Sequence, residues 1–119
     1  MENNERITKM VEKSEALEER AKKVCKDLEK IKDKTYDLIR HLDMHGSAIE
    51  KETLDDVKSS FYDINSCMED VIRATKRIAE LAKLGKCDRY MATRLKMAVC
   101  ETCAAEKQIE VLKEMLKIK

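Results

Sequence analysis

The fold is decided by residues 7–42, which read ITKMVEKSEALEERAKKVCKDLEKIKDKTYDLIRHL. Side chains at alternating steps of three and four residues form one line along this stretch, and nine of its eleven positions are apolar. A spacing that averages about 3.5 residues predicts a long helix whose apolar seam faces other helices. The seam consists of Ile7, Met10, Ser14, Leu17, Ala21, Val24, Leu28, Ile31, Thr35, Leu38 and Leu42.

The same spacing recurs twice farther along the chain, once after each of the two glycines. The second seam consists of Leu54, Val57, Phe61, Ile64, Met68, Val71, Thr75, Ile78 and Ala82. The third consists of Leu95, Ala98, Thr102, Ala105, Ile109, Leu112 and Leu116. The chain is therefore expected to hold three helices.

The two glycines mark the expected turns. Gly46 and Gly85 are predicted to adopt the left-handed conformation that ends helices without a Cβ clash. After the first turn, Ser47 and Glu50 have the spacing of a capping box, in which serine accepts from a first-turn N–H and glutamate reaches back. Asp88 is the expected N-cap of the third helix.

These signals predict an all-α protein, an elongated, coiled-coil-like bundle of three antiparallel helices in up-down-up order, to which dimerisation could add further helices. The predicted helices are 5–45, 48–84 and 88–118 within one domain, 1–119. The longest helix has about 40 residues, so at 1.5 Å per residue the rod should extend over about 60 Å.

Composition supports long helices. Charged residues make up 41% of the chain and aromatic residues 3%, and there is no proline. No apolar run is long enough for a signal peptide or a membrane-spanning helix, so an intracellular protein is expected. Five cysteines without the spacing of a disulfide framework favour a reducing, cytoplasmic compartment.

The third helix carries a second line of mostly apolar residues, about 100° from its seam. We call it the α3 stripe. It can be interpreted as extra core, because the middle of a three-helix bundle needs a wide apolar arc, or as a docking face for a partner's helix or a second copy. The α3 stripe consists of Met97, Cys100, Ala104, Val111, Met115 and Ile118.

Two groups of residues have metal-ligand chemistry. Folding back at the glycines brings Cys25, Cys67, Cys100 and Cys103 to similar heights, and four thiolates can bind zinc. Burial as small hydrophobic residues is the favoured interpretation of the cysteines, and whether they bind metal is left open.

The second group is a pair of histidines. His41 and His45 lie four residues apart, with Asp37 four residues earlier, a spacing that can place three ligands on one face. Favourable charge at the C-terminal end of a helix explains the histidines more simply, and His45 can also occupy the seam.

No nucleophile has a recognisable base and orienting group, and no glycine-rich loop exists to bind phosphate. We therefore expect no enzyme and no cofactor.

Charge is distributed unevenly, although the formal net charge is +1. Residues 37–70 hold nine acidic and three basic groups, a net charge of −6, while residues 73–96 hold eight basic and two acidic groups, a net charge of +6. In a folded rod these segments are expected at opposite ends. The eight basic residues, here called the basic pole, are Arg73, Lys76, Arg77, Lys83, Lys86, Arg89, Arg94 and Lys96.

The function expected first is a small helical protein–protein interaction module, an adaptor, assembly subunit or inhibitor. It would dock through the basic pole and the α3 stripe onto a protein partner or a second copy of itself. The alternative is a nucleic-acid-binding module that uses the basic pole, which the near-neutral pI of 7.6 makes less favoured. A metal- or redox-linked cysteine protein is a third hypothesis. No membrane partner is expected.

Overall fold

The computed structural model of the protein describes residues 2–46 and 49–116. It contains three helices, α1 (Glu2–His45), α2 (Lys51–Lys83) and α3 (Arg89–Leu116), and no strand within those ranges. The helices pack into a rod of 71 × 20 × 18 Å, with α1 packed against both α2 and α3. The predicted all-α, elongated three-helix bundle is confirmed.

Polar contacts fix how α1 and α2 lie against each other. Lys32 Nζ lies 3.0 Å from Glu69 Oε1, and nearer the first turn Lys58 pairs with Asp43. From one pair to the next, the residue number increases on α1 and decreases on α2, so the two helices are antiparallel. The side-chain hydrogen bond to Glu69 raises the pKa of the Lys32 amine.

The core lies along the three predicted seams. Every position of the α2 seam from Val57 to Ala82 is buried, and Phe61 is fully enclosed. On α3 the seam side chains are buried except Thr102 and Leu116, which are half-buried. Leucine, isoleucine, valine, methionine and alanine fill nearly all of this space, as the low aromatic content requires.

The start of the α1 seam departs from the prediction. Ile7 and Met10 are 59% and 58% exposed, and burial begins only at Ser14. Helix α1 has 44 residues and α2 has 33, so α1 extends past the end of its neighbour. We call residues 4–13, all of which are exposed, the α1 overhang.

A polar layer formed by Asn65 and Thr35 interrupts the largely apolar packing between α1 and α2. The Asn65 side-chain amide donates to Thr35 Oγ1 at 2.9 Å and to the Lys32 carbonyl at 3.2 Å, and the Thr35 hydroxyl donates to that carbonyl at 2.7 Å. Both side chains are buried. A sliding of the two helices would leave the Asn65 amide buried without a partner, so this layer selects one register.

Glycine ends α2 as predicted. Gly85 has a φ of +87°, and its N–H donates to the Ala82 carbonyl at 2.9 Å. The next N–H, of Lys86, donates to the Leu81 carbonyl at 3.0 Å. These two bonds form a Schellman motif, which satisfies carbonyls that the helix end would leave free.

The Asp88 prediction is also confirmed. Asp88 Oδ1 accepts a hydrogen bond from the Met91 N–H at 2.8 Å, which caps the start of α3. The turn between α2 and α3 is thus held from both sides, by backbone bonds at the end of α2 and by a carboxylate at the start of α3.

The first turn follows α1 at Gly46 as predicted, but its geometry differs from the prediction. Gly46 does not have a positive φ; it is buried, and a Cβ there would lie 3.0 Å from both methyl carbons of Leu54. Its role is to allow close packing. Ser47 lies outside the described residues, and Glu50 itself precedes the first residue of α2 and makes no side-chain capping bond. Helix α2 accordingly begins at Lys51, three residues later than expected.

Replacing Gly85 with alanine should destabilise the protein by about 1 kcal/mol. The left-handed backbone costs an alanine about 1–2 kcal/mol, partly offset by the smaller entropy of its unfolded chain. Urea unfolding followed by circular dichroism measures the difference. Gly85→Asn, which tolerates the same backbone, is the matched control and should lose less. An alanine variant as stable as the original chain would contradict the assignment of strain to Gly85.

Candidate interaction surface

The α3 stripe lies on the surface. Met97, Val111 and Met115 are 53%, 59% and 62% exposed, and Cys100 and Ala104 are exposed as well. Ile118 lies outside the described residues. Because α1 and α2 both contact the seam side of α3, the stripe has no helix left to cover it among the described residues. The interpretation of the stripe as extra core is therefore wrong.

A shallow groove of about 230 Å³ runs beside the stripe, between α2 and α3. Its apolar lining includes the buried side chains of Ile64 and Met68, and Cys67 and Ala104 line it too. Because the side chains of cysteine and alanine are small, they leave this space between α2 and α3 open. The groove continues the apolar area of the stripe toward α2, since Ala104 belongs to both.

The basic pole is divided by ion pairing. Four of its members lie close to carboxylates of the same chain, and only the Arg94 pair is largely shielded from solvent, with side chains 24% and 32% exposed. The pairs are Arg73 with Asp70, Lys76 with Glu29 at 3.8 Å, Arg77 with Glu80 at 3.9 Å, and Arg94 with Glu101 at 3.2 Å.

The other four members of the basic pole are exposed and have no ion pair within residues 2–46 and 49–116. They are grouped at the turn between α2 and α3 and on the first turns of α3: Lys83, Lys86, Arg89 and Lys96. Exposed pairs with neighbours three residues away, such as Arg73 with Asp70, could be foreseen from helix spacing. The contacts of Lys76 and Arg94 required the fold.

A second exposed apolar area was missed in the sequence. Ile7, Met10 and Val11 lie on the α1 overhang, beyond the end of α2. The antiparallel register, in which Lys76 pairs with Glu29, ends α2 well short of these three residues. The signal available in the sequence was the difference in length between the first seam and the second.

The structure does not assemble the proposed cysteine cluster. Cys25 is buried near Glu29 and Lys76, whereas Cys67 lies near Glu101 in the α2–α3 groove, so the two thiols face different neighbours. Burial raises the pKa of the Cys25 thiol and that of the Cys67 thiol, and the nearby carboxylates of Glu29 and Glu101 act in the same direction. Neither thiol is activated as a nucleophile.

The histidine pair is also without a third ligand. The rings of His41 and His45 lie with centroids 4.9 Å apart, both exposed, so His45 does not enter the seam. Asp37 accepts a hydrogen bond from Arg40 at 3.0 Å. Within the part of the chain that the structure describes, no three histidine, cysteine, aspartate or glutamate residues are placed to hold a metal ion.

Comparison with known proteins gave no match to this chain among family models, curated proteins or solved structures. None of the described helices has an apolar stretch long enough to cross a lipid bilayer.

Thiol labelling tests the placement of the cysteines. In the native protein at mildly alkaline pH, we expect N-ethylmaleimide to modify Cys25 much more slowly than the exposed Cys87, because its thiol is buried and its pKa is raised. Timed labelling followed by peptide mass spectrometry gives both rates, and urea should make them equal. Equal rates in the native state would contradict the burial of Cys25.

The raised pKa of the Cys25 thiol predicts that the protein loses stability at high pH. The folded protein holds the Cys25 proton more tightly than the unfolded chain does, so this contribution is complete below the ordinary thiol pKa. It is lost as the pH rises through the raised value of the folded state. Urea unfolding across the alkaline range, with Cys25→Ala as the control that removes the titrating group, measures the effect. A dependence on pH that is identical in the variant would contradict it.

Proposed function

We propose that the protein is a helical protein–protein interaction module, an adaptor, assembly subunit or inhibitor, that docks through the α3 stripe and the basic pole. The observation that carries the proposal is the exposure of Met97, Val111 and Met115 on one side of α3. Full burial of a valine or methionine side chain against a partner contributes about 1.5–3 kcal/mol. Contact with another protein would therefore be favourable without any change within the bundle.

The basic pole is suited to orienting the partner during docking. Lys83, Lys86 and Arg89 are exposed and lie at the turn from which α3 begins. Charges at the edge of an apolar interface mainly speed association and select the partner, whereas the buried apolar centre supplies affinity. We propose that an acidic surface on the partner faces this turn while apolar side chains cover the α3 stripe.

A nucleic-acid partner agrees less well with the surface. Four of the eight basic groups already lie beside carboxylates, and a phosphate backbone has no apolar group to place on Met97, Val111 or Met115. Five unpaired cysteines support a reducing compartment, so we propose that the docking takes place in the cytoplasm. We also propose that it involves no catalysis.

Site-specific photo-cross-linking tests the proposal directly. A diazirine amino acid at Val111, exposed to light in an extract of the cell that makes the protein, should give one discrete protein adduct. Met115→Glu should abolish the adduct, because a carboxylate would be buried without a partner at the interface. Met44→Glu is the matched control: Met44 is 76% exposed and belongs to α1, outside the stripe, so the adduct should persist.

Both substitutions replace exposed methionines and should change the free energy of unfolding by less than about 0.5 kcal/mol, which a thermal melt checks. An adduct that survives Met115→Glu, or the absence of any adduct at Val111, would contradict docking through the stripe. Titration of the protein with DNA and RNA at low salt tests the nucleic-acid alternative, and tight binding that weakens steeply with salt would favour it.

A further inference from the structure

We infer that the partner of the α3 stripe is the stripe of a second copy of this chain, packed antiparallel with Ala104 at the two-fold axis. The inference depends on the proposed function, because it takes the stripe to be a protein-docking face. It adds the identity of the partner, the direction of packing and the register.

The stripe is symmetric about Ala104. Met97 lies seven residues before Ala104 and Val111 seven residues after it, and seven residues are close to two helical turns. An antiparallel copy therefore places the Met97 side chain of each chain against Val111 of the other. The methyl side chain of Ala104 lets the two helices approach closely at the centre, where larger side chains would hold them apart.

Charge follows the same symmetry. Between Thr93 and Met115, no two residues at equal distances before and after Ala104 carry charges of the same sign. Two-fold packing brings such residues to the same height in the dimer, so like charges at those positions would repel each other. The sequence of α3 is thus free of this conflict over 23 positions.

One specific ion pair is expected at the edge of the interface. Lys96 and Glu114 are 18 residues apart, which is five turns of 3.6 residues, so both lie on the same flank of α3. Both are exposed, and neither has an ion pair within the described part of the chain. Two antiparallel helices place matching flanks together, so Lys96 of each copy lies beside Glu114 of the other, twice in the dimer.

The two oppositely charged segments of the chain select the same direction. The segment 73–96, with a net charge of +6, lies at the turn between α2 and α3, and the segment 37–70, with a net charge of −6, contains the opposite turn. Antiparallel packing about Ala104 places the positive segment of one copy along the negative segment of the other. Parallel packing would place positive beside positive, which costs free energy.

The first experiment measures mass against concentration by sedimentation equilibrium. We expect the mass to rise from monomer towards dimer between micromolar and near-millimolar concentrations and Val111→Glu to stay monomeric. Met44→Glu, the control outside the stripe, should remain dimeric. A chain that is monomeric at every concentration, or a dimer that Val111→Glu leaves intact, overturns the inference.

Charge exchange tests the register. Lys96→Glu should weaken dimerisation by about tenfold, because two attractive contacts become repulsive. Glu114→Lys in the same chain should restore it. Lys26→Glu, on an exposed position of α1, makes the same change in net charge and should have no effect. Failure of the double variant to recover, or an equal loss with Lys26→Glu, overturns the pairing.

The relative direction of the two α3 helices is determined by cross-linking between chains that differ in isotope content. In this experiment a diazirine amino acid replaces Met97. Trypsin separates residues 97–107 from residues 108–113, so the partner peptide identifies the direction. A link to the peptide that contains Val111 supports antiparallel packing, and a link to the peptide that begins at position 97 overturns it. If the chain is monomeric while Val111 cross-links to another protein, the second-copy inference fails and the proposed function stands.

Discussion

The buried contact between Asn65 and Thr35 is the constraint on which the rest of the structure depends. Heptad seams of leucine, isoleucine and valine attract each other in several registers, because sliding by one heptad replaces one apolar layer with another of similar size. The Asn65 amide, buried beside the α2 seam, is satisfied only where Thr35 and the Lys32 carbonyl lie opposite it. Together with the short connection between His45 and Lys51, that contact fixes the overlap of α1 and α2, and the greater length of α1 leaves its first residues past the end of α2.

Once the hairpin of α1 and α2 is in register, the position of α3 follows from the second turn. Gly85 ends α2 and Asp88 starts α3 within a few residues, so α3 must fold back immediately. A helix that rests on two neighbours can bury only the side that faces them. The apolar arc of α3 is wider than that side, and the excess, from Met97 to Met115, remains on the surface. The candidate docking face thus exists because two neighbouring helices are too few to cover the whole apolar arc of α3.

Most of the fold could be predicted because the information is local and periodic. The α2 and α3 seams and the Asp88 cap depend only on spacing and side-chain type, and the structure confirms them. The errors arose where distant residues decide. Gly46 is required by the nearness of Leu54. Ile7 and Met10 fit the α1 seam, but α2 ends before it reaches them. Periodicity placed Thr35 in the core but could not name Asn65 as its partner.

The site divides in the same way. Which residues form the α3 stripe was readable from the helix period, but whether they are covered depended on where α1 and α2 lie. Half of the basic residues of the basic pole lie beside carboxylates. Two of these carboxylates, Glu29 and Glu101, belong to another helix or to a more distant turn of the same helix. A count of charges along the sequence cannot separate matched from free groups. The free groups and the exposed stripe together define the surface that a partner would meet.

The most direct measurement is methyl NMR of the methionines with a soluble paramagnetic agent across a range of protein concentrations. The chain contains internal references, since Met68 and Met91 are buried and Met44 is exposed on α1, outside the stripe. Met97 and Met115 should respond like Met44 in dilute solution and become protected at high concentration, while Met44 remains accessible. If Met97 and Met115 stay as accessible as Met44 at the highest concentration, the pairing of two α3 stripes is contradicted.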